Sequence, residues 1–220
     1  SMNEVGVDRP SREIKKRKNE PRGVSVKPGT YRLELKHLDN TTSSAIEIKS
    51  DPRFEISEMT INDRYQRGKE LEELTQTTAN AVKQLAESKD IAEKYKVDLA
   101  KKDKVLYLEE IKVSKIIIKR IDSIIDRYVG KEDKRQGITN SSYVPVMNRI
   151  STASRYSGSR PNGITKTEIV LIQQVKEKLE AVLKETNLFF ETDWENYKIE
   201  MNQLDLSPFK KTESYFINEN

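Results

Sequence analysis

The chain has 220 residues, of which 35% are hydrophobic and 35% are charged. This balance is typical of long helices that have one apolar stripe and broad solvated faces. Cysteine is absent, which excludes disulfides and thiolate metal sites, and no stretch approaches the roughly 18 apolar residues of a membrane-spanning helix.

The formal net charge of +4 is concentrated near the N-terminus. Residues 12–22 contain six basic side chains against Glu13 and Glu20, and the rest of the chain is balanced. A duplex-binding protein needs its positive field on the folded face that meets the phosphates. No aromatic residue interrupts the run Lys15–Lys18 to stack on bases. We therefore predict a solvated connecting segment and no nucleic-acid partner.

Residues 1–53 predict an N-terminal loop followed by a β-hairpin. Residues 1–27 show little apolar periodicity and predict a loop. Residues 31–35 and 45–48 alternate apolar with other side chains and predict two strands, separated by a polar loop at 39–44. A lone two-stranded hairpin is marginal in water. We therefore expect this segment to be the remnant of a preceding β domain.

Residues 54–206 predict a helical bundle. Apolar residues recur in steps of three and four over about 57–101, 104–129 and 165–204. Thr165, followed three residues later by a glutamate, has the spacing of a capping box. The predicted fold is mainly α, a bundle of three long antiparallel helices preceded by a short β-hairpin or partial β-sandwich segment.

Two further segments are polar. Residues 131–163 predict a loop, in which Val146, Met147 and Ile150 can form one short helix on the end of the bundle. A connection of this length is more often functional than structural. Residues 207–220 predict a polar tail.

Several short motifs then carry a resemblance to a known family. Pro28-Gly29-Thr30-Tyr31, followed by Asp51-Pro52-Arg53 and a long helix, resembles the C-terminal part of bacterial, Bacteroidetes-type sortilin-like proteins. These proteins have BNR-repeat (Asp-box) propellers and are described as glycosyl-hydrolase-like. Gly6–Arg12 and Trp194–Leu204 are similar to the segments that enter and close the same module.

The resemblance implies a propeller domain ahead of this chain and export to the periplasm or the cell surface. No Asp-box is present in this sequence. The resemblance therefore implies an accessory module without the part to which hydrolase activity is attributed, although the parent protein would be glycosyl-hydrolase-like.

The residues themselves offer little for catalysis or cofactor binding. His37 is the only histidine, so neither a catalytic triad nor a histidine metal site has the partners it needs. No glycine-rich phosphate-binding motif occurs. We predict a chain that is not an enzyme and has no cofactor and no metal site.

The best candidate for ligand binding is Trp194, since an aromatic ring between carboxylates resembles a sugar subsite. Helical spacing also allows Trp194 to continue the apolar seam, which is the simpler interpretation. Tyr143, Tyr156 and Arg160, in the predicted loop 131–163, are further candidates for contact with sugar.

These observations favour a non-catalytic scaffold or interaction module at the C-terminus of an exported propeller protein. Its expected partners are the preceding propeller, a second protein or a carbohydrate. One alternative is an accessory part of a carbohydrate-active hydrolase that helps to form the substrate cleft. Another is a free-standing helical adaptor.

Overall fold

The computed structural model describes residues 2–14, 18–131, 143–159 and 163–204. This part of the chain is mainly helical, with two small antiparallel strand pairs. The strands are β1 (Asn3–Val5), β2 (Arg22–Ser25), β3 (Gly29–His37) and β4 (Asn40–Ile48). The helices are α1 (Glu58–Asp103), α2 (Leu108–Val129), α3 (Val146–Ser159), α4 (Lys166–Phe189) and α5 (Glu195–Asn202), and a π-helical turn (Phe190–Trp194) joins α4 to α5.

Capping residues fix the starts of two long helices. The Ser57 hydroxyl accepts a hydrogen bond from the Thr60 amide at 3.2 Å and begins α1. The predicted capping box is confirmed at α4, where the Thr165 amide donates to the Glu168 carboxylate at 2.8 Å. Both starts lie within one residue of the predicted positions.

The end of α1 and the start of α2 differ from the prediction of 101 and 104. The Asp103 carboxylate accepts hydrogen bonds from the amides of Val105 and Leu106, each at 2.9 Å. These bonds hold a turn through residues 104–107. They give the two amides a carboxylate acceptor in place of the backbone carbonyls to which a continuing helix would bond them. The second helix therefore begins at Leu108.

The buried stripe of α1 consists largely of small side chains, which allow neighbouring elements to approach closely. The small buried residues are Thr75, Thr78, Ala79, Ala81, Ala86, Ser88 and Ala92. The facing helix α2 supplies larger ones, which are Ile117, Ile118, Ile121, Ile124, Ile125 and Tyr128. The core therefore pairs a small-residue stripe with a large-residue stripe.

Two buried hydrogen bonds connect α2 to the last helical segments. The Tyr128 hydroxyl lies 2.7 Å from Thr186 Oγ1, and Ser114 Oγ lies 3.0 Å from the Tyr197 hydroxyl. Burial raises the pKa of Tyr128 to about 12. Burial also raises the pKa of Tyr197. Both tyrosines therefore stay neutral, and each hydroxyl has a hydrogen-bond partner inside the core.

The helix count differs from the expected three. Residues 146–159 form a full helix, α3, which buries Val146, Ile150 and Ala153 against the bundle. The segment 131–163, predicted as a loop with one short helix, thus contributes a fourth helix to the core where it is described; residues 132–142 lie outside the described residues. The apolar spacing of Val146 and Ile150 already indicated this face.

The N-terminal region also departs from the prediction. Residues 1–27 do not form only a loop, because β1 and β2 pair within them. Residues 40–44, predicted as a polar loop, belong to β4, and Leu38-Asp39 alone connects the two strands. Leu38 has a φ of 52°, the left-handed conformation that a two-residue hairpin connection requires. The predicted hairpin is confirmed and is longer than expected.

Within the described residues, none of the helices combines the length and the hydropathy that crossing a bilayer requires. The predicted tail at 207–220 lies outside the described residues.

Replacement of Ile124 by alanine tests the packing of α2. Ile124 is fully buried, so its loss should lower the free energy of unfolding by about 2–5 kcal/mol in urea denaturation. Ile116 lies on the same helix and is 64% exposed, and Ile116→Ala should change stability by less than about 0.5 kcal/mol. Equal losses in the two variants would contradict this core.

Candidate binding cleft and exposed hairpin face

The N-terminal strand pair, β1 and β2, packs closely on α1. A Cβ atom at Gly68 would lie 2.6 Å from Val24 Cγ1, which is closer than real Cβ contacts. The Val24 amide donates to Glu72 Oε1 at 2.7 Å. Glycine at position 68 therefore lets β2 approach α1, and Glu72 satisfies an amide that the two-stranded sheet leaves unpaired.

A cluster of charged groups fixes β1 to the same helix. The Glu4 carboxylate accepts hydrogen bonds from the Tyr65 hydroxyl at 2.6 Å and from Lys69 Nζ at 3.2 Å. Lys69 also binds Glu72 at 2.8 Å. The hydrogen bond from Tyr65, followed by that from Lys69, lowers the pKa of Glu4.

Arg12 carries the N-terminal segment to the far end of α2. Its guanidinium lies 2.5 Å from Asp126 Oδ1 and also donates to the carbonyl of Gly130, just after the helix. A cation at this position also suits the negative end of the helix dipole. Residues 2–14 therefore extend from α1 to the C-terminus of α2.

A cleft of about 850 Å³ lies between the N-terminal segment, the first turns of α1 and the end of α3. Its walls combine apolar side chains with hydroxyl and basic groups. The basic residues that line it are Arg9, Arg22, Lys27 and Arg64. The Lys27 ammonium lies 5.0 Å from the centre of the Tyr65 ring and 3.0 Å from Asn62 Oδ1.

The β3–β4 hairpin presents a second surface. Its register places Tyr31 opposite Ile46 and Leu33 opposite Ser44, so the apolar side chains share one face. We call this the apolar hairpin face; it comprises Tyr31, Leu33, Leu35, Ile46 and Ile48. Leu33 is 57% exposed and Leu35 is 64% exposed. Tyr31 and Ile48 are half-buried, whereas Leu33 and Leu35 stay exposed, because no element in the described part of the chain covers that end of the face.

The structure places Trp194 in the π-helical turn, where it is half-buried. Its ring lies 5.4 Å from the ring of Tyr197 and 6.4 Å from that of Phe189. The simpler interpretation of Trp194 as part of the apolar seam fits this packing. The sequence did not indicate the π-helical turn. Within it, the Thr192 hydroxyl donates a hydrogen bond to the Leu188 carbonyl at 2.7 Å.

The other predicted sugar contacts lie elsewhere. Lys178 Nζ is 4.0 Å from the centre of the Tyr143 ring, and the Arg127 guanidinium is 5.5 Å from it. Lys178 and Trp194 are about 24 Å apart along the helical rise, so Tyr143 and Trp194 do not form one site. Tyr156 is 41% exposed on α3, and Arg160 lies outside the described residues.

The candidate cleft was missed in the sequence because its residues are distant along the chain. Gly6, Gly23 and Gly68 mark the close approaches that shape it, and isolated glycines were the only available signal. Lys15, Lys16 and Arg17, the centre of the predicted basic segment, lie outside the described residues.

The described residues contain no group of three or more histidine, aspartate or glutamate side chains that could hold a metal ion. The single histidine, His37, is exposed at the end of β3.

No family model, no curated protein and no solved structure matches this chain. Any functional proposal therefore depends on the geometry described above and on the short motifs in the sequence.

Replacement of Gly68 by alanine tests the contact between β2 and α1. The added Cβ would collide with Val24, so β2 should move away and the Val24 amide should exchange faster with deuterium. We expect stability to fall by about 1–3 kcal/mol. A Cβ at Gly158, on α3 beside the same cleft, meets no atom within 4 Å, so Gly158→Ala is the matched control and should not alter Val24 exchange.

The Glu4 cluster predicts a pH dependence of the N-terminal strand pair. Because the folded-state pKa of Glu4 is lowered, its contribution is complete above its unfolded value of about 4.3 and is lost as the pH falls through the folded value. Protection of the Gly6 amide, which donates to the Pro21 carbonyl at 2.8 Å, should fall over this acid range. Glu4→Gln should reduce protection of the Gly6 amide at pH 6 and make that protection less dependent on pH. The same pH dependence in both proteins would contradict the role of Glu4.

Proposed function

We propose that this chain is a non-catalytic interaction and scaffold module whose β3–β4 hairpin docks on β structure of its parent protein or partner. The observation that carries the proposal is the exposed apolar hairpin face. Leu33 and Leu35, which no described element covers, stay in contact with water, which is unfavourable for apolar side chains. A docked partner would remove these leucine side chains from water.

The hairpin edges support the same proposal. In the described part of the chain, β3 and β4 pair only with each other, over nine residues each. Their outer edges therefore retain main-chain donors and acceptors that a further strand can pair with. An apolar face combined with open edges is what one piece of a larger β-sandwich presents.

The junction between β4 and α1 suits a docking element. Arg53 binds both carboxylate oxygens of Asp51, at 2.6 and 2.9 Å, and the Phe54 amide donates to the Asp51 carbonyl at 3.1 Å. The hydrogen bonds from Arg53 lower the pKa of Asp51. This turn gives the hairpin a defined exit into α1.

The resemblance to the C-terminal part of sortilin-like, BNR-repeat propeller proteins supplies a specific form of the proposal. In that form the partner is the β domain that precedes this module in an exported protein of the periplasm or cell surface. The Pro28–Tyr31 and Asp51–Arg53 motifs that carry the resemblance bracket the exposed hairpin. A carbohydrate-binding role has less support, because Trp194 packs on Phe189 and Tyr197 and lies far from Tyr143.

Charge placed on the apolar hairpin face tests this function. The binding partner would be the protein segment encoded immediately upstream of this chain, and binding would be measured by isothermal titration calorimetry. Ile46→Glu places a carboxylate on the docking face and should weaken binding at least about tenfold, because the charge must be desolvated.

Ala45→Glu provides the matched control. Ala45 is the adjacent residue on the opposite face of the same strand, and its cross-strand partner is Arg32, which suits a carboxylate. This variant should bind like the unmodified chain. Absence of binding by the unmodified chain, or equal losses in the two variants, would contradict the proposed docking face.

A further inference from the structure

We propose that the cleft between the N-terminal strand pair, α1 and α3 binds an oxyanion carried on an apolar body, which is the chemistry of an organic carboxylate or phosphate ester. This site lies apart from the apolar hairpin face, and its ligand is independent of the docking function proposed above.

The size and lining of the cleft suit such a ligand. Its volume of about 850 Å³ is in the range of small-molecule sites. Val26, Ile56 and Ile61 supply apolar wall, while Arg9 and Arg22 supply guanidinium groups on the N-terminal side. Apolar walls with a few polar groups are the usual composition of a binding pocket.

The acidic side chains that line the cleft are already engaged. Asp51 is bound by Arg53, and Glu72 accepts hydrogen bonds from the Val24 amide and from Lys69. These two carboxylates therefore do not neutralise the arginines of the cleft. The lining keeps a positive potential that favours an anion.

Arg9 and Arg22 are the groups available to a ligand. Among the residues that the structure describes, neither guanidinium forms an ion pair or a side-chain hydrogen bond, and both side chains are exposed at the cleft. Guanidinium groups bind carboxylate and phosphate oxygens in pairs of parallel hydrogen bonds. Two such groups in the lining explain why the ligand should carry an oxyanion.

The lining of the cleft also includes a hydroxyl without a hydrogen-bond partner. Ser157 Oγ, on α3, is buried and has no hydrogen-bond partner among the described residues. Buried polar atoms are seldom left unsatisfied. A bound oxyanion would satisfy this hydroxyl once the Ser157 side chain rotates toward the cleft, and the proposal itself depends on the two arginines.

Titration of the full chain with three small probes tests the site, with amide and arginine Nε–H signals followed by NMR. Benzoate and phenyl phosphate represent the two sources of the oxyanion, and benzyl alcohol is the neutral control. We expect saturable shifts at the cleft with at least one of the anions and none with benzyl alcohol. The stronger anion identifies whether a carboxylate or a phosphate is preferred.

The double substitution Arg9→Gln/Arg22→Gln should weaken anion binding at least about tenfold. Both side chains are exposed, so the fold should be kept, and unchanged protection of the Gly6 amide would verify this. Arg32→Gln, on β3 outside the cleft, should bind like the unmodified chain.

Three results would overturn the site: no saturable shift with either anion up to about 20 mM, equal binding of benzyl alcohol, or unchanged binding in the double variant. Loss of hairpin docking in the calorimetric test would leave this site unaffected, so failure of one proposal is distinguishable from failure of the other.

Discussion

The architecture depends on the difference in length between α1 and α2. With 46 and 22 residues, these helices extend over about 69 and 33 Å. Since α2 returns antiparallel from the end of α1, it covers only the C-terminal half of the longer helix, where Lys89 meets Asp122 at 2.7 Å. The N-terminal half must be covered by α3, α4 and the N-terminal strand pair. The cleft lies where α3 and the N-terminal strand pair meet α1.

This constraint also separates what the sequence could predict from what it could not. Helices α1, α2 and α4 have long apolar periodicity, and α1 and α4 also have side-chain caps at Ser57 and Thr165, so their existence follows from neighbouring residues. The pairing of β1 with β2 depends instead on residues such as Gly68 and Glu72 on a helix distant in sequence. A short polar strand has no periodic signal of its own, so contacts with α1 determine that these two strands form.

The same reasoning applies to the candidate sites. Residue type selected Trp194 and Tyr143 as sugar contacts, but the fold uses Trp194 for packing and places Tyr143 near the cations of Lys178 and Arg127. The positive cleft was not predictable, because Arg9, Arg22 and Arg64 come from segments that only the folded chain brings together. Composition placed the basic surplus near the N-terminus without indicating which arginines face a cleft.

The two halves of the chain differ in how completely their apolar residues are covered. The helical part has one continuous apolar core, whose buried members run from Leu71 to Met201. The hairpin leaves Leu33 and Leu35 exposed, although its alternation is that of a strand with one buried face. The described residues retain this alternation without covering the two leucines, which is the pattern that the proposed docking of a partner explains. In the proposed function the bundle would serve as the stable base, and the hairpin would be the part whose stability depends on its partner.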